Sequence, residues 1–209
     1  MTTSVTVVDY GIGNIHSVVK ALRYVGATVC LTADSDEVAR SSRVVVPGVG
    51  AFADGMAKLR ERNLDAAIVE HANSGEPLLG ICLGMQLLLS ASSEFGHHDG
   101  LGIIIGDVVP LAPGDGVKVP QIGWNAIYPV GETTWVHPLL SHLPPEPMVY
   151  FVHSYTASPE REEDRLADAD YGNQRVSAAI ARDNVVGFQF HPEKSGEIGL
   201  EILRRFLRT

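Results

Sequence analysis

The first half of the chain alternates short β-branched runs with amphipathic stretches, at residues 5–8, 14–25, 28–31, 34–41 and 44–46. A strand reaches a parallel neighbour only through a crossover, so this alternation calls for βαβ units around a parallel sheet. A helical stretch ending near Ala72, an apolar strand at 78–81 and an apolar helix at 84–89 continue the pattern. After Gly100 the texture changes to strand-like runs at 101–105, 117–127, 149–152 and 176–181, separated by turn residues. A last strand at 185–190 and a closing helix at 198–207, apolar at helical spacing, complete the chain. The acidic stretch 160–170 reads as a solvated turn or loop. The expected fold is α/β: a single three-layer domain over residues 1–209, with a mostly parallel central sheet, flanking helices and a β-rich second half.

A chain of 209 residues can build one sizeable core, burying roughly 70% of its unfolded surface. Its net charge of −9 supplies no basic footprint for phosphate, which argues against nucleic acid or an anionic membrane as partner. Residues 1–8 lack the basic flank and long apolar core of a signal peptide, and no run of about 18 apolar residues occurs. The chain therefore reads as cytoplasmic. With two cysteines, Cys30 and Cys82, a disulfide framework is not expected in that compartment. Cys30 ends an apolar strand and reads as core.

Cys82 stands in another context. Gly80-Ile81-Cys82-Leu83-Gly84 lies where an apolar strand hands over to a helix and has the G-x-nucleophile-x-G form of a nucleophile elbow. Such a turn wants small residues on both sides, and a thiol at a helix start is favoured as thiolate. The Leu83 N–H would face a developing oxyanion. A cysteine nucleophile needs a histidine to share its proton and a third group to orient that imidazole. His191-Pro192-Glu193 offers both after the last strand, because in extended chain residues i and i+2 project to one side. His153, in Phe151-Val152-His153-Ser154-Tyr155, is the rival base, but it has no carboxylate nearby in sequence. His97 and His98 are adjacent and lack the spacing of a helical ligand pair, so no metal site is expected.

Pro47-Gly48-Val49-Gly50 follows the strand at 44–46, and an N–H of Val49 or Gly50 could complete an oxyanion hole with Leu83. The same residues carry a competing signal. Gly48-Val49-Gly50-Ala51-Phe52-Ala53 fits a dinucleotide fingerprint, which would make the chain a Rossmann-type nucleotide binder.

Taken together, these motifs resemble the class I, or triad, glutamine amidotransferases. More narrowly they resemble the glutaminase subunits of imidazole glycerol phosphate synthases. Besides the elbow and the glycine loop, the likeness rests on residues 9–14 (Asp-Tyr-Gly-Ile-Gly-Asn), Met85-Gln86 after the elbow, residues 118–125 and residues 151–155. Gln121-Ile122 stands where members of that family often have His-Met. The resemblance implies hydrolysis of glutamine by Cys82, His191 and Glu193, without metal or organic cofactor. Substrate would be held by Gly50, Gln86, Glu94, Ser154 and Tyr155. Ammonia would pass to a (β/α)8 cyclase partner that makes imidazole glycerol phosphate and aminoimidazole carboxamide ribotide in histidine biosynthesis. Pro120, Gln121, Trp124 and Asn125 would face that partner.

Overall fold

In a computed structural model, which describes residues 3–112, 114, 117–131 and 134–209, eight strands form one sheet. Their spatial order is Thr28–Thr32, Ser4–Val8, Val44–Gly48, Leu78–Cys82, Val185–Phe188, Gln174–Arg182, Arg165–Tyr171 and Tyr128–Pro129. The first five are parallel neighbours, and the last three join antiparallel. Two smaller sheets come from the second half. Met148–His153 pairs with Gln121–Ala126, and Leu89–Ser92, His98–Asp99, Ile104–Pro110 and Tyr155–Pro159 form a sheet of four. The expected mostly parallel sheet with a β-rich second half is the observed one. Met1, where the expected domain begins, lies outside the described residues.

The central strands are apolar because both faces are covered. Val5, Val7, Val45, Leu79 and Ile81 pack on one side with helices Ile15–Tyr24 and Gly196–Phe206, through Leu22, Leu203 and Phe206. Val8, Val44, Val46 and Leu78 face the other side, against Phe52–Glu61 and Leu64–Asn73, through Met56, Leu59 and Ile68. Each such fully buried side chain contributes roughly 1.5–3 kcal/mol.

Four expectations are corrected. Cys30 is exposed, because its strand is the outermost of the sheet and has a neighbour on one side only. The acidic stretch is not a loop: a 3-10 turn at Glu162–Asp164 leads into strand Arg165–Tyr171, where Ala167 and Ala169 face the core. Its buried Asp168 is held by Arg165 at 2.6 Å, and buried Asp164 by Arg182 at 3.4 Å, so ion pairing takes the place of solvent. The apolar helix after the elbow is short, Leu83–Leu87, and gives way to strand Leu89–Ser92. The last strand ends at Phe188, short of Phe190. Among the described residues no helix is long and apolar enough to cross a membrane.

Candidate active site

Three adjacent strands of the parallel sheet end together. Gly48 stands opposite Cys82, and Phe188 opposite Ile81 on the other flank. Residues 49–50, 82–83 and 189–191 therefore converge at the carboxyl edge of the sheet, where open α/β folds bind ligands.

Cys82 is the turning point, with φ 55° and ψ −110°, a strained backbone for a residue with a side chain. Its flanking glycines have a steric reason. A Cβ on Gly84 would collide with the Val46 carbonyl, and one on Gly80 would press on the backbone of Gly84 and Met85. The Cys82 Sγ lies 3.8 Å from the Val152 carbonyl oxygen and 3.8 Å from Gln189 Nε2.

His191 is buried, and its backbone is pinned on two sides. Its N–H donates to the Tyr150 carbonyl at 2.9 Å, and its carbonyl accepts from Ser195 Oγ at 2.6 Å. The chain then enters a tight 3-10 turn, Pro192–Lys194, which brings Glu193 Oε1 to 2.8 Å from His191 Nδ1. The pairing expected from sequence is present, but a turn makes it rather than extended strand. Burial alone would lower the imidazole pKa. The neighbouring Cys82 sulfur and Glu193 carboxylate outweigh burial and push it up to about 9. The other nitrogen, Nε2, is buried without an aligned partner among the described residues and is the one left for the thiol.

A cavity of about 350 Å³ opens at Cys82. Val49, Gly50, Leu83, Gln86, Glu94, Ser154 and Tyr155 all line it, so the expected oxyanion and substrate residues are brought to one place. Gly50 has φ +117°, a conformation that suits glycine. Gln86 is buried rather than an exposed helix end; its Nε2 donates to the Tyr155 carbonyl and to Gln189 Oε1, both at 3.0 Å. Glu94 Oε2 accepts from the Phe52 N–H at 2.6 Å, at the start of helix Phe52–Glu61. That contact bears on the dinucleotide reading. The helix start that would take a pyrophosphate already holds a carboxylate, and a phosphate there would meet like charge.

Three functional contacts were not expected. Gln189, fully buried, touches both the sulfur and Gln86. Tyr10, from the first glycine motif, donates its buried hydroxyl to the Pro47 carbonyl at 2.7 Å and so braces the glycine loop. His153 is also buried, its Nδ1 2.8 Å from the Tyr155 carbonyl and its Nε2 3.0 Å from the Gln121 side-chain amide. Desolvation by burial, with the positive charge of His191 adding to it, pushes its pKa down to about 4. A neutral ring donates once. The carbonyl can only accept, so Nδ1 carries the hydrogen, and the end of the Gln121 amide that lies 3.0 Å from Nε2, placed as Oε1, must be turned to its NH2 to donate there. Apart from the His153–Tyr155 contact, which spans two residues, these contacts join positions distant in sequence, and no local pattern announces them.

The four expected partner-facing residues separate. Pro120 lines the cavity, Trp124 is exposed beside exposed Ile122, Gln121 is buried on His153, and Asn125 Nδ2 donates to the Asp170 carbonyl at 2.7 Å. The Trp124 ring packs edge-on to Tyr150, with centroids 6.0 Å apart. His97 sits at the surface, 3.4 Å from Asp99.

The profile of the family glutamine amidotransferase class-I matches residues 6–209. The chain belongs to that family. Among its class-I relatives, imidazole glycerol phosphate synthase subunit HisH 1 of Legionella pneumophila (strain Lens) is 48% identical over 212 residues, covering 99% of both chains. Subunit HisH of Wolinella succinogenes is 47% identical over 205 residues, covering 97% of this chain and 98% of that one. The solved structure of PurLQS from Thermotoga maritima superposes with a TM-score of 0.76 at 18% identity, covering 100% of this chain and 99% of that chain. The last likeness shows a shared fold.

Proposed function

We propose that the chain is the glutaminase subunit of an imidazole glycerol phosphate synthase, with residues 1–209 acting as one amidotransferase domain and Cys82, His191 and Glu193 as its triad. The observation that carries this reading is the buried 2.8 Å pair of His191 and Glu193 behind a cysteine on a strained elbow.

His191 takes the Cys82 proton, and the thiolate attacks the side-chain amide carbon of glutamine. The oxyanion receives hydrogen bonds from the Leu83 N–H and from an N–H of Val49 or Gly50. His191 then returns its proton to the departing nitrogen, ammonia leaves, and a thioester remains. A water that loses its proton to His191 opens the thioester to glutamate, and the thiol is regenerated. Glu193 keeps the imidazole turned so that Nε2 faces the sulfur. Gln86 has both Nε2 hydrogens engaged, so its Oε1 is the atom left to accept from the substrate's ammonium group. Glu94 and the backbone of Ser154 and Tyr155 complete the grip. Ammonia passes to a (β/α)8 cyclase, which makes imidazole glycerol phosphate and aminoimidazole carboxamide ribotide in histidine biosynthesis. Exposed Trp124 and Ile122, next to cavity-lining Pro120, support a docking face there. A thiol that must stay reduced suits the cytoplasm.

The test is Cys82→Ala in the complex with the cyclase. Glutamine-dependent activity should fall by at least ~10⁴-fold, while activity with added ammonium salt persists. Retained glutamine use would overturn the assignment of the nucleophile.

A further inference from the structure

Gln189 has no place in the chemistry described so far, yet its side chain is completely buried between Gln86 and Cys82. Its backbone N–H donates to the Ala178 carbonyl at 2.9 Å, which holds it just beyond the end of its strand. The two ends of an amide side chain have the same shape, so which end faces the sulfur follows from the neighbours. The Tyr155 carbonyl can only accept, and the end of Gln86 that lies 3.0 Å from it is therefore the NH2. The second hydrogen of that group meets Gln189 at 3.0 Å, which must present its oxygen. Gln189 Nε2 is left pointing at Cys82 Sγ, 3.8 Å away, within reach of an N–H···S contact. The anchoring carbonyl is itself held by the His153 Nδ1–H at 2.8 Å.

We propose that Gln189 donates a hydrogen bond to the Cys82 thiolate and stabilises it, through a relay whose polarity is set by the Tyr155 carbonyl. The idea rests on Cys82 being the nucleophile. Cys82 is 5% exposed, so its thiolate has little water to solvate it. Its other neutral contact, the Val152 carbonyl at 3.8 Å, can accept from a thiol but repels an anion. Upon ionisation the sulfur loses that contact, and the Gln189 N–H becomes a neutral donor to the charge beside protonated His191.

The test uses the full chain carrying Cys30→Ser, so that Cys82 is its only thiol. Alkylation by iodoacetamide is followed against pH, which requires no substrate binding. The titratable groups around the sulfur are His191, Glu193, Tyr10, His153 and, across the cavity, Glu94, and all stay in place. In Gln189→Met, which keeps size and removes the N–H, the pH of half-maximal alkylation should rise by about one unit, with the high-pH plateau unchanged. That is about tenfold slower alkylation at pH values below both midpoints. Gln86→Met keeps the donor but frees the Gln189 amide to turn, so the shift should have the same sign and be smaller; it carries the test if Gln189→Met does not fold. Profiles that superimpose on the parent in both variants would overturn the proposal. Failure of the nucleophile assignment is read separately, from glutamine turnover in Cys82→Ala.

Discussion

Two buried histidines stand at the site, His153 in the lining of the cavity and His191 beside Cys82, and each belongs to a different part of the molecule. His191 follows a strand of the parallel sheet, while His153 ends a strand of the small antiparallel pair. Burial opposes the charged ring in both, yet His191 is pushed up to about 9 and His153 down to about 4. The difference lies in their partners. His191 has a carboxylate 2.8 Å from Nδ1 and a thiol for Nε2. His153 has only a backbone carbonyl and a neutral amide. Equal burial thus yields a ring able to hold a proton between two reaction steps and a ring fixed neutral as a strut for the Tyr155 carbonyl. The proposed nucleophile and base stand on the wall built from the parallel sheet, and the antiparallel wall positions the Tyr155 backbone proposed to hold substrate.

The largest expected effect strikes the first histidine. His191→Ala should cost glutamine turnover about 10⁶-fold, whereas Glu193→Gln, which keeps an imidazole but loses its orienting charge, should cost about 10⁴-fold. Steady-state glutamate release by the cyclase complex measures both. Equal losses would mean that Glu193 does more than orient.

The next effect isolates His153. Its folded pKa of about 4 lies below the unfolded value of 6.5, so between those values the unfolded chain binds more protons. The stability contributed by the neutral ring is fully present above about pH 6.5 and is lost as pH falls through about 4. The loss amounts to at most about 3 kcal/mol. His153→Gln, which keeps an N–H for the Tyr155 carbonyl, should flatten that part of the urea-unfolding profile. An unchanged acid loss in the variant would show that the ring is not held neutral.

The smallest effect would make the second histidine resemble the first. Gln121→Glu sets a carboxylate against His153 Nε2, which should raise its pKa and leave an acid loss below about 1.5 kcal/mol over the same window. An acid loss as large as the parent's would argue that burial, rather than the partner, sets the protonation of this ring.

Much of this site was legible because its logic is local. The elbow is five consecutive residues, 80–84; Gly80 answers to contacts within the turn itself, whereas Gly84 makes room for the Val46 carbonyl of the neighbouring strand. Glu193 finds His191 across two residues, so a short turn serves as well as extended chain. The parallel sheet was readable from its alternation, since burial on both faces leaves an apolar run at each central strand. Other features depend on where strands lie in space. Cys30 and Cys82 both sit in apolar runs, but sheet order leaves one on the outermost strand and buries the other at the centre. The acidic run 160–170 reads as solvated until Arg165 and Arg182 are seen to neutralise its buried aspartates.

The amino-acid sequence by itself thus determined the sheet type, the elbow that turns at Cys82 and the pairing of His191 with Glu193, because a turn and a two-residue step impose their geometry on any chain that contains them. Gln189 against Cys82, Gln121 against His153 and Tyr10 against Pro47 were decided only by the tertiary structure. Each joins residues far apart along the chain, and a polar side chain acquires such a partner only when packing has excluded the water that would otherwise satisfy it.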